Sequence, residues 1–287
     1  MNIREIIQQT TVSFAESGHG TPRLDAEVLL SHCLSADRTG LYSNPAEQIG
    51  EERREEFLHL VARRRQGEPI AYIVGEKEFW SLSFAVDDRV LVPRPETEVL
   101  VEEVLAVCKA VKGKDLKILE IGAGSGVISV SLASELKEAL FWATDISEGA
   151  LAVAERNAAR HGVAGRITFL RGDLFAPVSG SFHIIVSNPP YIPEDEFDGL
   201  PPDIRQFEPR VALVGGSDGI EVHRKLIRQA VSFLEEGGWI FLEIGAAQRK
   251  RIEQILKAVG SYDEIGFRKD YGGEERVVRA RRKATGG

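Results

Sequence analysis

An amide, two prolines and a tyrosine stand in "VSNPPYI", residues 186–192, directly after the apolar start of "FHIIV". Two consecutive prolines remove two backbone N–H donors and fix two φ angles, so the chain stops pairing there and enters a stiff loop. Carbonyls in such a loop lack neighbouring donors and face outward. One reading is a loop that only ends a strand. The other is a rigid clamp, carried by Asn188, Pro189, Pro190 and Tyr191, for a group that donates hydrogen bonds.

Upstream, "ILEIGAGSGVISV" holds Gly122, Gly124 and Gly126, with Ala123 and Ser125 between them. Glycine there permits φ > 0 and lets a ligand approach the backbone closely. Free N–H groups at the start of a following helix favour a negatively charged group. The dinucleotide pattern G-x-G-x-x-G fails because Val127 holds its last position; what stands is Glu120-x-Gly-x-Gly-x-Gly. Asp145, followed by Ile146, closes the next predicted strand, where an acid can accept hydrogen bonds from ribose hydroxyls. Asp173, in "RGDLF" with Leu174 behind it, closes the strand after that. Each feature alone is compatible with a turn or a helix cap. Gathered at the C-terminal ends of successive parallel strands, they point to a nucleoside-containing ligand.

The elements that must position these residues are legible in the periodicity. Residues 1–66 read as a small helical bundle. Ile3, Ile6, Ile7 and Phe14 share one face, and Thr21-Pro22 opens a second helix with Leu24, Val28, Leu29 and Cys33 on its apolar side. "EERREEFLHLVARRRQG" is a further helix ended by Gly67, with Arg63, Arg64 and Arg65 as a solvated C-terminal turn. Residues 67–94 read as a β-hairpin connector with "VDD" as its turn. From 95 to 287, elements alternate: helix 95–111, strand 116–121, helix 125–137, strand 139–144, helix 147–161, strands 166–171 and 182–187, helix 219–235, strand 238–244, helix 246–259, and strands near 261–268 and 275–281. That order predicts a doubly wound α/β sheet. Only a turn separates the last two strands, so one of them is antiparallel.

Composition narrows the class. The 287 residues are 43% hydrophobic and 28% charged, as in ordinary globular proteins. The apolar runs are too short to span a membrane, and "MNIREIIQQT" is not a signal peptide. Cys33 and Cys108 read as reduced core thiols of a cytoplasmic protein, and the six histidines show no ligand spacing, so no metal is expected. Net charge is −8, which leans against a duplex nucleic-acid substrate.

The loop acid, the glycine loop and the strand-end Asp145 resemble the class I S-adenosylmethionine-dependent methyltransferases, whose Rossmann-like sheet has seven strands with the last-but-one inserted antiparallel. The resemblance implies that Glu120, Gly122, Ala123, Gly124, Ser125 and Gly126 lie beside the methionine and ribose. It further implies that Asp145 holds the ribose, that Ile146 beside it also contacts the cofactor, that Asp173 and Leu174 flank the adenine, and that Asn188 borders the methyl group. "NPPY" resembles the signature of enzymes that methylate planar amino nitrogens, either exocyclic base amines or glutamine amides. An amide nitrogen is a poor nucleophile because its lone pair is delocalised. The Asn188 side-chain oxygen and the Pro189 carbonyl can accept its two hydrogens and orient it, with the ring of Tyr191 as a flat face against it. S-adenosylhomocysteine is then the product.

"GEPIAYIVGEKEF" and "FAVDDRVLVPRPETEVLVE" within 67–103 closely resemble the connector of the release factor glutamine methyltransferases, the HemK type. A helical N-terminal domain, this connector, "EIGAGSG", "SNPPYI" and, within 207–219, "FEPRVAL" and "GGSDG" match that family in order over nearly the whole chain. The resemblance implies methyl transfer to N5 of the glutamine in the Gly-Gly-Gln motif of peptide chain release factors. The helical domain would dock the factor, and Arg94 and Glu96 would line the substrate entrance. Glu208 and Arg210 are expected to be solvated. Glu120 stands where the family commonly has Asp, and Leu174 where an aromatic is frequent. The alternatives are a glutamine methyltransferase acting on a ribosomal protein, an adenine-N6 DNA or RNA methyltransferase, and a cofactor-binding module without activity. Residues 76–287 carry 28 basic and 33 acidic side chains, which disfavours a nucleic-acid groove. A monomer without direct nucleic-acid or membrane contact is expected.

Overall fold

The computed structural model describes residues 1–110 and 115–284. Two compact units emerge, one of Met1–Glu76 with Pro201–Phe207, the other of Lys77–Leu200 with Glu208–Gly287.

The first unit holds α1 (Ile3–Glu16), α2 (Pro22–Leu34), α3 (Arg38–Ser43), α4 (Glu51–Arg65) and α5 (Ile70–Val74). A capping box starts α1: the Asn2 side chain accepts from the Glu5 N–H at 2.9 Å and the Glu5 carboxylate accepts from the Asn2 N–H at 3.1 Å. Phe14, Leu29, Leu30 and Phe57 fill the core. Leu24 differs from expectation, being 42% exposed. The reason is that α2 turns carboxylates inward. Asp25 pairs with Arg64 at 2.8 Å, and Glu27 is held by Arg23, Arg38 and Tyr42. Arg64 is therefore buried in an ion pair and is not part of a solvated terminus.

The expected connector over 67–94 divides. Its first part is α5, within the first unit; the hairpin is β1 (Glu76–Phe79) with β2 (Leu82–Ala85). The turn falls at Trp80 and Ser81, both with positive φ (53° and 56°), and not at "VDD", which follows β2. Two consecutive positive φ values make the twist-matched hairpin turn.

The second unit continues with α6 (Glu98–Ala110), β3 (Lys117–Ile121), α7 (Val127–Glu135), β4 (Leu140–Asp145), α8 (Glu148–Arg160), β5 (Ile167–Arg171) and β6 (Phe182–Ser187). After α9 (Pro202–Phe207), which belongs to the first unit, come α10 (Glu221–Phe233), β7 (Leu234–Glu243), α11 (Arg249–Val259), β8 (Tyr262–Lys269) and β9 (Glu275–Arg282). Position 111, the end of the helix expected from 95, and 285–287 lie outside the described residues. Short helices at 194–199, 202–207 and 210–212 were not expected from the periodicity.

The sheet order is β5-β4-β3-β6-β7-β9-β8. All pairs are parallel except those of β9, which runs antiparallel to both neighbours and is last but one across the sheet. Adjacent residues of each strand face opposite cores: Ile118, Ile184, Phe241 and Val277 enter the core with α6, α7 and α8, while Leu119, Ile185, Ile240 and Val278 enter the one with α10 and α11. β3 sits between β4 and β6, so successive crossovers leave it in opposite directions. That switch point opens a crevice beyond the C-terminal ends of β3 and β6.

Candidate active site

The glycine loop continues β3. Gly122 and Ala123 donate their N–H groups to the Thr144 carbonyl at 2.8 and 2.9 Å, which ties the loop to β4. Gly126 opens α7 at φ +80°, and a Cβ there would lie 3.1 Å from the Ala154 Cβ and 3.2 Å from its Cα. Glycine is thus needed for α7 to close on α8. The buried Asn157 side chain donates to the Ser125 carbonyl at 2.8 Å and pairs with the Ala85 backbone, so the hairpin braces the loop.

Two acids behave differently. Asp145 accepts from the Gly124 N–H and from the Ser147 N–H, each at 2.9 Å, and lines the crevice. Glu120 is buried. One of its oxygens accepts from the Ser129 N–H at 3.0 Å and from the Ser129 hydroxyl, while the other, Oε1, has no partner among the described residues. Burial pushes its carboxyl up to about 8, against the pull of Ser129 and with a smaller push from Asp145. A folded value above the unfolded one stabilises the fold below the unfolded value, and that stability is lost as pH rises through about 8. The free protein is therefore expected to melt several degrees lower at pH 8.5 than at pH 5.5. Glu120→Gln should flatten part of that slope in a calorimetric series, and an unchanged slope would show that Glu120 is already ionised.

A cavity of about 620 Å³ joins these parts. It is lined by the Gly122–Ser125 loop, by Asp145 and Ile146, by Asp173 and Leu174, and by Asn188, Pro189 and Pro190. Leu174 holds φ +48° and lies against the second core, while Ile146 is 55% exposed. Arg94 lines the cavity too, and pairs with Glu208 at 2.5 Å. Glu208, expected to be solvated, is buried and also accepts from the Val92 N–H at 3.2 Å. The Arg94 guanidinium at the cavity wall explains why that carboxylate faces inward. Arg210 is exposed and paired with Glu194, yet it also lines the cavity.

Two expected substrate contacts lie outside this lining: Glu96 and Tyr191. Glu96 is exposed. The Tyr191 phenol is pushed up to about 12 by burial, with Glu243 adding to the push and Arg276 opposing it. Arg94 and Glu96 act on the same phenol, and Tyr191 is not among the residues that line the cavity. Tyr191 instead anchors the loop: its carbonyl accepts from Gln248 at 2.8 Å, and Ile192 exchanges backbone bonds with Leu213 and Gly215 at 2.9 Å. A Cβ on Gly215 would collide with the Pro190 carbonyl and come within 2.9 Å of the Tyr191 Cα, so this glycine lets the two segments meet.

Asn188 donates Nδ2–H to the Thr97 hydroxyl at 3.1 Å, and Thr97 donates to Glu243 Oε2 at 2.7 Å. Thr97 and Glu243 were missed in the sequence; neither sits in a spacing that signals chemistry. Among the described residues, no donor engages Asn188 Oδ1 or the Pro189 carbonyl. Asn188 and Pro189 thus carry unengaged acceptors and, with Pro190, line the same cavity as the glycine loop and Asp145.

Comparison with known proteins gives this arrangement a family. Residues 5–75 match the PrmC N-terminal domain, and residues 96–198 match the methyltransferase small domain. The chain is 41% identical over 280 residues to a release factor glutamine methyltransferase of Geobacter sulfurreducens, covering 97% of this chain and 96% of that one. The chain belongs to the release factor glutamine methyltransferase family. A relative of the same description from Moorella thermoacetica is 40% identical, covering 99% of both chains. A solved methyltransferase from Pyrococcus furiosus shares the fold, with a TM-score of 0.54, 20% identity, and coverage of 82% of this chain and 100% of that one. The seven-stranded methyltransferase architecture and the preceding helical domain are those of the family. No helix among the described residues is long and apolar enough to cross a membrane.

Proposed function

We propose that the protein transfers a methyl group from S-adenosylmethionine to the side-chain nitrogen of the Gly-Gly-Gln glutamine in peptide chain release factors, as a monomer in the cytoplasm. The observation that carries this reading is the shared cavity: residues 188 and 189, whose Oδ1 and carbonyl are engaged by no donor among the described residues, line the same space as the glycine loop and Asp145.

The residues present fit the cofactor. Asp145 keeps unused lone pairs for two ribose hydroxyls, and Ile146 and Leu174 supply apolar surface for an adenine. The buried, unpartnered Glu120 Oε1 suits a cationic donor group. Bound S-adenosylmethionine supplies a sulfonium methyl with a neutral thioether leaving group.

The chain's own part is positioning and electrostatics. Asn188 Oδ1 and the Pro189 carbonyl would each accept one hydrogen of the glutamine amide. Holding both N–H bonds turns the nitrogen toward the methyl group and favours a pyramidal, more nucleophilic geometry. Prolines at 189 and 190 remove competing backbone donors and fix the loop. No base is needed before attack, because the methylated nitrogen is strongly acidic and loses its proton afterwards.

The protein with labelled S-adenosylmethionine should label a release factor, and a factor with that glutamine replaced should stay unlabelled. Equal labelling of both would reject the assignment.

A further inference from the structure

Asn188 can serve as an acceptor only if its oxygen, and not its NH₂, faces the cavity. The two ends of an amide are alike in shape, so something must choose between them. We propose that Thr97 and Glu243 are positioning residues that make this choice, through the hydrogen-bond polarity of a buried Asn188–Thr97–Glu243 chain. The proposal rests on the reading of Asn188 given above.

Thr97 and Glu243 are 2% and 1% exposed, so water does not complete their hydrogen bonding. An ionised carboxylate only accepts. The Thr97 hydroxyl has one proton and gives it to Glu243 Oε2 at 2.7 Å. Toward Asn188, at 3.1 Å, Thr97 then offers only lone pairs. The Asn188 atom facing it must be the NH₂, which leaves Oδ1 on the cavity side. A protonated Glu243 allows the reverse chain. Glu243 then donates to Thr97, Thr97 donates to Asn188 Oδ1, and the NH₂ faces a substrate amide that itself brings N–H groups.

The surroundings of Glu243 put this reversal within reach. Burial pushes its carboxyl up to about 7, with Glu96 adding to the push, while hydrogen bonds from Thr97 and Tyr191 and the charge of Arg276 oppose it. Arg276 is itself paired with Asp270 at 3.0 Å. From α10, His223 donates Nε2–H to the Glu243 carbonyl at 2.8 Å; burial holds its ring down at about 4, so it stays neutral as Glu243 titrates.

The test measures methyl transfer to a release factor in the full-length protein. Thr97→Val should lower kcat by about tenfold or more, as expected when one oriented group of a polar site is lost. Its affinity for S-adenosylmethionine should be unchanged, and Thr97→Ser should restore most of the rate. In the wild type, kcat/KM should fall as pH drops through about 7. Glu243→Gln should be slow and should lose that dependence. A wild-type kcat for Thr97→Val, a Thr97→Ser as slow as Thr97→Val, or an acidic limb retained by Glu243→Gln would each overturn the proposal. If Thr97→Val does not fold, Thr97→Ser and the pH profile of Glu243→Gln still decide. Asn188→Ala separates the two readings. A full rate for it removes the role of Asn188 itself, whereas a dead Asn188→Ala beside a fully active Thr97→Val removes only the polarity chain.

Discussion

Asn188→Ala is expected to lower kcat by about 10²–10³-fold, the size of effect seen when one preorganised polar group is removed from a reacting centre. Its affinity for S-adenosylmethionine should change little. The variant loses one of the two acceptors that would hold the substrate nitrogen, and it leaves the glycine loop and Asp145 untouched. The fold should tolerate it, because the side-chain bond lost among the described residues is the one from Nδ2 to Thr97. Single-turnover methyl transfer with saturating cofactor is the measurement. A wild-type rate would take Asn188 out of the chemistry.

Asp145→Ala is expected to act at the other end of the cavity. It removes a carboxylate that accepts from the Gly124 and Ser147 N–H groups and that would accept from the ribose. Hydrogen bonds to a charged group contribute about 1.5–3 kcal/mol each, so losing two at the ribose should weaken cofactor binding at least about a hundredfold. Asp145→Glu keeps the charge and should be milder. Calorimetric titration with S-adenosylmethionine distinguishes them; equal affinities for wild type and Asp145→Ala would mean that the ribose is held elsewhere.

Much of this was readable along the chain. The glycine loop, Asp145 and "NPPY" are contiguous motifs, and regular alternation of strands and helices placed them at one edge of a parallel sheet. What could not be read depends on partners far apart in sequence. Thr97 lies 91 positions from Asn188 and 146 from Glu243, and only folding brings the three together. Glu208 looked like a solvated charge because its partner, Arg94, is 114 positions away. Leu24 sat on a plausible apolar stripe, but buried ion pairs at Asp25 and Glu27 rotated α2 away from it. The hairpin turn was misplaced for a local reason. Trp80 and Ser81 adopt positive φ without the glycine, asparagine or aspartate that usually marks it, while "VDD" carries the usual residue types and makes no turn between strands. Tyr191 kept its place in the motif, yet it is not among the residues that line the cavity.

The position of β9 has a consequence for how the protein is made. It follows every other described strand in chain order, yet it pairs on both sides, with β7 and with β8. A nascent chain that has emerged only as far as β8 leaves one side of β7 unpaired and β8 without its partner strand, an invitation to mispairing. Arg276, which helps hold Glu243 ionised, arrives on that same final strand. The active site therefore acquires its electrostatic balance at the moment the sheet is sealed.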